Sequence, residues 1–178
     1  MPTFRSGRQT LAAWACVAQD WKGPLIRLET QPKHTNRSGK VVGGGLTAEG
    51  YAAQVVSGPL KAAVNTLEKE RGHPMLVVEE GAPAHKGKVV EAARRAAGIQ
   101  RLTHPPSSPD LNPIEPLWAL LKKRIYNIPG SRNSIDALWE AARQVWEGIT
   151  IEEVNQHTYK MDARVAAVKE ADGWQTEF

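Results

Sequence analysis

Apolar positions recur first as two short clusters, "TLAAWACVA" (10–18) and "GPLIRLET" (23–30), separated by "QDWK". Short apolar runs bounded by turn residues predict a hairpin of two strands. The following "QPKHTNRSGKVVGGG" (31–45) is polar, glycine-rich and free of acids, which predicts a loop. Helical spacing then takes over. Tyr51, Val55, Val56, Leu60, Ala63, Val64 and Leu67 share one face behind a candidate N-cap at Thr47, and the pattern stops at "RGHP" (71–74). "MLVV" (75–78) is a continuous apolar run between a proline and two glutamates, the pattern of a strand buried on both faces. After "EEGAPAH" the spacing predicts a helix from Lys86 to Ala97 closed by Gly98, a short strand in "IQRLTH" (99–104), and a helix from Pro113 to about Tyr126. In "SIDALWEAARQVWEGI" (134–149), Ile135, Leu138, Trp139, Ala142, Val145, Trp146 and Ile149 fall on one helical face. Thr150 and Glu153 then form a capping box for a last helix. Strands alternating with helices, and helices gathering at the end, predict an α/β fold with a largely covered sheet.

Composition narrows this picture. With 178 residues, 41% hydrophobic and 24% charged, the chain has the size of one well-buried domain. The single Cys16 excludes an internal disulfide and fits a reducing compartment. No apolar run approaches the ~18 to 20 residues of a membrane helix. Arg5 and Arg8 ahead of "LAAWACVA" mimic a secretory signal, but the same run reads as a strand continuous with the rest of the fold.

Charge matters through its distribution. Residues 1–135 hold 19 Lys and Arg against 10 acids, whereas residues 136–178 hold 4 against 9. A basic body with an acidic tail suits a polyanionic partner, and an unevenly charged solvated surface accounts for it equally well.

The candidate chemistry sits in "HPPSSPDLNPIEPLW" (104–118), a proline-stiffened loop running into an apolar helix. Asn112 at the N-cap, Pro113 at the first helical position and Glu115 at the third make a complete helix start, so Glu115 has a purely structural reading as a cap. That reading leaves the stiffness of the loop unexplained, along with a second pair of acids, Glu79 and Glu80, at the C-terminal end of "MLVV". Ligands collect at that end of strands in open α/β sheets. Carboxylates from a strand end and a helix start, on a basic surface, suit a Mg²⁺-dependent phosphodiester enzyme.

Thirty-four residues separate Glu80 from Glu115. "SPDLNPIEPLW" resembles the third-carboxylate motif of mariner-type transposases, members of the DDE superfamily of transposases and integrases. "VVEEGAPAHKG" resembles their second motif, at the spacing of the Glu-ending branch. "AAWACVAQDWKGPLIRLE" resembles their second and third strands, and "YKMDARVAAVKEADGWQTEF" their C-terminal tail. The resemblance implies a ribonuclease-H-like mixed sheet flanked by helices, and Mg²⁺ or Mn²⁺ as cofactor in cutting and joining DNA. It puts Glu115 on the third metal ligand, Glu80 on the second, and His85 and Asn112 beside them as supporting residues. Ser108, Asp110 and Asn112 shape the loop. DNA contact is expected from Lys33, Arg37 and Lys40 in the acid-free loop, from Lys86, Lys88, Arg94 and Arg95, and from Lys122, Lys123 and Arg124.

The sequence also departs from that pattern. The family's first catalytic Asp belongs on a strand ahead of "TLAAWACVA", and "MPTFRSGRQ" contains no acid. Asp20 lies in the turn after the strand and does not fill the place. Glu80 stands where the family has Asp, which displaces the carboxylate by ~1 Å. Helix-turn-helix domains for finding transposon ends are not seen.

Residues 1–178 are therefore expected to form one N-terminally truncated domain lacking its first strand, with 136–178 as its C-terminal helical part. The chain is expected to be inactive as it stands, marginally stable or self-associating through exposed sheet edges, and nuclear if eukaryotic or otherwise intracellular. A repurposed, non-catalytic nucleic-acid-binding or interaction module is the alternative, and an incomplete gene model is a further one.

Overall fold

In a computed structural model, residues 3–6, 9–102 and 108–172 are described. Their contacts fall into two compact units.

The first unit comprises 12–14 and 26–102 of the described residues. The end of β2 (Gln9–Trp14) pairs antiparallel with β5 (Ile26–Leu28), Ala12 facing Leu28 and Trp14 facing Ile26. Within 31–45, expected to be a loop, a small antiparallel ribbon forms from β6 (His34–Thr35) and β7 (Val41–Val42).

The long helical stretch begins as predicted. The Thr47 hydroxyl accepts from Gly50 N, opening α1 (Ala48–Tyr51). It continues through a π-helical segment (Ala52–Leu60) into α2 (Lys61–Arg71), which ends on Gly72 in the left-handed conformation. Pro59 lies inside the π segment. A proline has no N–H to donate and crowds the preceding turn, and a widened turn accommodates both. The buried positions Tyr51, Val55, Val56 and Leu60 accordingly step by four to five residues.

Strand β8 (Leu76–Val77) runs parallel to β9 (Gln100–Arg101), with α3 (Lys88–Ala97) between them in sequence. The expectation that "MLVV" is buried on both faces does not hold. Leu76 is 54% exposed, because β9 is the only strand paired with β8 among the described residues.

The second unit comprises 3–6, 9–11, 15–25 and 108–172. Strand β1 (Thr3–Ser6) lies beside β2, so the segment "MPTFRSGRQ" does contribute a strand ahead of "TLAAWACVA". The predicted hairpin continues as β3 (Val17–Ala18) and β4 (Trp21–Lys22), turning at Asp20 with φ 57°. A 3-10 turn (Pro109–Leu111) leads into α4 (Ile114–Tyr126). Then come α5 (Ile135–Glu147), α6 (Ile151–Thr158) and α7 (Met161–Glu170).

Leu117, Trp118, Leu121, Leu138, Ala142, Trp146, Ile149 and Val154 form the core of this unit, with Trp118 and Trp146 stacked at 5.4 Å. The hairpin is tied to the helices by polar contacts. Trp146 Nε1 donates to Gly23 O (2.9 Å), and Lys22 Nζ donates to the carbonyls of Trp146 (2.7 Å), Glu147 (3.1 Å) and Ile149 at the end of α5. A cation on those last carbonyls completes the helix electrostatically. Ser134 caps α5, and the Thr150–Glu153 box caps α6 as the sequence predicts.

Candidate active site

Glu79 and Glu80 follow β8 in extended chain and have different fates, as alternation along such a chain requires. Glu79 is buried. The Tyr51 hydroxyl donates to its carboxylate, Arg94 forms an ion pair with it at 2.7 Å and Arg101 Nε lies at 3.6 Å. Arg101 also donates to the Glu79 carbonyl (3.2 Å), and Arg94 donates to the carbonyl of His85 (2.9 Å). Burial and the Glu79 charge both push the Tyr51 phenol pKa upward, so it remains a donor.

Arg94 was expected to reach DNA and instead turns inward. It lies four residues after the fully buried Val90 on α3, on the same helical face, and its charge is matched by Glu79. That i, i+4 relation was readable in the sequence.

Glu80 is half-buried, and its backbone carbonyl accepts from His85 Nδ1 at 2.9 Å. A carbonyl only accepts, so this nitrogen carries the proton and Nε2 holds the lone pair. His85 ends the 3-10 turn Pro83–His85, is buried, and packs its ring 4.2 Å from that of Tyr51. Burial pushes the imidazole pKa down to about 4, with Glu79 opposing the shift. The neutral ring fixes the backbone that presents Glu80.

Glu115 stands in the first turn of α4 and is half-buried. The expected capping arrangement is not made. Pro113 occupies the N-cap position without a side-chain bond, and the Asn112 N–H is engaged by the carbonyl of Pro109 (3.0 Å) as the 3-10 turn closes. The Asn112 contribution to the helix is its carbonyl, which accepts from Glu115 N (3.1 Å). The Glu115 carboxylate makes no hydrogen bond or ion pair with the described residues. Residues 103–107 of the proline-rich stretch lie outside the described residues, and Ser108 O accepts from Leu111 N (3.2 Å).

Glu80 belongs to the first unit and Glu115 to the second. Both offer hard oxygen donors, the chemistry that Mg²⁺ and Mn²⁺ require. Their number is short, since among the described residues no group of three or more His, Cys, Asp or Glu forms a metal cluster. Asp20 does not add to it. Its side chain accepts from Asn155 Nδ2 (2.7 Å) and the Tyr159 hydroxyl (3.3 Å).

Of the expected DNA contacts, Lys33, Arg37, Lys40, Lys86, Lys88, Arg95, Lys122 and Lys123 are exposed. Arg124 is less available than the sequence suggests, because its guanidinium forks onto the Glu153 carboxylate, one arm at 3.2 Å and the other shorter. Among the described residues no helix is long and apolar enough to cross a membrane.

Comparison with known proteins places this geometry. The DDE superfamily endonuclease family matches residues 39–138. The Tc1 transposase of Caenorhabditis elegans is 25% identical over 177 residues, covering 99% of this chain and 58% of that protein. The Tcb1 transposase of Caenorhabditis briggsae is 27% identical over 179 residues, again covering 99% and 58%. The chain thus spans 58% of the length of these curated relatives. Among solved structures, the Mos1 transposase catalytic domain with Raltegravir and Mg superposes with a TM-score of 0.71 at 18% identity, covering 94% of this chain and 77% of that one. The Mos1 mariner paired end complex with Mn gives a TM-score of 0.72 at 19% identity, covering 99% and 48%.

Proposed function

The chain belongs to the DDE superfamily endonucleases and has a ribonuclease-H-like fold, and from that premise we propose that it is transposase catalytic-domain material that binds DNA without cutting it. Glu115 carries the reading. It is a half-buried carboxylate in the first turn of α4 that neither caps its helix nor pairs with any described residue, so it can accept a ligand without breaking a contact among them. Glu80, presented by the His85-anchored loop, is its counterpart in the first unit.

Glu80 and Glu115 are each candidates to hold Mg²⁺ or Mn²⁺, which would supply Lewis acidity for attack on a phosphodiester. Glu80 and Glu115 are two of the three carboxylates that the family resemblance implies, and the strand "TFRS" of β1 carries no acid. We therefore assign the chain weak divalent-metal binding and no strand cleavage of its own, and a nuclear place of action if its source is eukaryotic. The non-catalytic nucleic-acid-binding reading shares this DNA-binding surface and differs in requiring no metal. Self-association through the exposed side of β8, where Leu76 stands open, belongs to the same proposal and is read by sedimentation.

The test is Mn²⁺ titration followed by the electron paramagnetic resonance of the free ion. Weak binding that Glu80→Gln and Glu115→Gln each reduce supports the assignment. Binding indifferent to both substitutions, or none in the unaltered chain, leaves only the non-catalytic reading.

A further inference from the structure

Every residue from 29 to 41 is exposed, including both strands of the ribbon where side chains are described. A ribbon packed on a protein body buries one face, because successive side chains alternate between faces. Among the described side chains this one buries neither, so it is an arm.

The arm is built to hold its shape. At its base Gln31 N donates to Gly45 O (3.0 Å) and Gly44 N to Gln31 O (2.8 Å). Gly43, with φ 82°, lets the two strands close there, since a Cβ on it would lie 2.4 Å from the Pro32 carbonyl oxygen. At the tip Asn36 Oδ1 accepts from Ser38 N (3.1 Å), Ser38 Oγ (2.8 Å) and Lys40 N (3.0 Å), and Gly39 N donates to Asn36 O (3.0 Å). An ordered tip loses little conformational freedom on binding.

The charges are distributed over the arm rather than gathered on one side. Thr35 pairs with Val41, so Lys33 and Val41 share a face, and Lys40 belongs to the other. Arg37 stands at the tip between them, and no acid lies within 31–45.

We propose that this ribbon enters a groove of duplex DNA, with Lys33 and Lys40 directed to the two flanking phosphate walls and Arg37 leading. The major groove admits a two-stranded ribbon, and cations on both faces match its two walls. The proposal rests on the DNA-binding part of the function assigned above and adds which element binds and in what form.

The test compares the unaltered chain with Lys33→Gln/Arg37→Gln/Lys40→Gln and with Lys86→Gln/Lys88→Gln/Arg95→Gln. Binding to a random-sequence duplex and to its separated single strand is measured across salt concentrations, with thermal melting of each variant confirming the fold. The expected result is preference for duplex, competition by the major-groove dye methyl green, and a salt slope lowered by about 1.8 in the ribbon variant for the two lost lysine–phosphate contacts. Equal loss of duplex and single-strand binding, or loss only in the helix variant, overturns the ribbon assignment while leaving DNA binding intact. Failure of the unaltered chain to bind any DNA at low salt overturns the underlying reading. A ribbon variant that binds DNA normally but sediments as a smaller species than the unaltered chain shows that the arm engages a second copy instead, which also overturns the assignment.

Discussion

The loop after β8 carries Glu80 and the first turn of α4 carries Glu115, and the two are held by opposite means. The first is fixed by charge. Glu79, Arg94 and the Tyr51 hydroxyl form a buried cluster, flanked by the exposed Arg101, that also reaches the His85 carbonyl, and His85 in turn holds the Glu80 backbone. The second is fixed by backbone turns and packing. Prolines and a 3-10 turn lead into α4, whose Leu117 and Trp118 are buried immediately behind Glu115. Charge-based fixation depends on pH and on every member of the cluster, because a buried charge left alone is costly. Fixation by proline and apolar contact does not.

The largest break in this comparison is expected from Glu79→Ala, which leaves the Arg94 charge buried and unmatched. A loss of about 3 to 5 kcal/mol, read by urea denaturation, is the prediction. Next comes acid. Because His85 titrates at about 4 when folded and near 6.5 when unfolded, the unfolded chain binds the extra proton between those values. Its contribution is present above the unfolded value and is lost as pH falls from about 6.5 to about 4, amounting to at most roughly 3 kcal/mol. Denaturation at both ends of that window should show a steeper loss in the unaltered chain than in His85→Gln.

Smaller effects sharpen the contrast at helix starts. Thr150→Ala removes a formed cap and should cost about 1 kcal/mol. Glu115→Ala, where no cap is formed, should change stability by less than about 0.5 kcal/mol. A cost for Glu115→Ala equal to that for Thr150→Ala would restore the capping role.

What was legible in the sequence follows the range of the interactions concerned. The Thr47 and Thr150 caps and the Gly98 stop are decided within a few residues, and all form as read. The Asn112 cap did not form: the helix starts one residue later, with Pro113 at the N-cap position, and the Asn112 N–H that a Glu115 capping box would use closes the Pro109–Leu111 turn instead. "MLVV" gave a strand but not its burial, which depends on neighbouring strands distant in sequence. Both candidate carboxylates were nominated from a strand end, a helix start and the family resemblance, all local in sequence. The Glu79 cluster was missed, since its members are scattered from Tyr51 to Arg101 and only the fold assembles them.

The most direct measurement is nicking of supercoiled plasmid by the purified chain in Mg²⁺ and in Mn²⁺, beside Glu115→Gln. On the proposed reading, both proteins should leave the plasmid intact over prolonged incubation. Metal-dependent nicking by the unaltered chain that disappears in Glu115→Gln would contradict the account and show that a complete catalytic site is present.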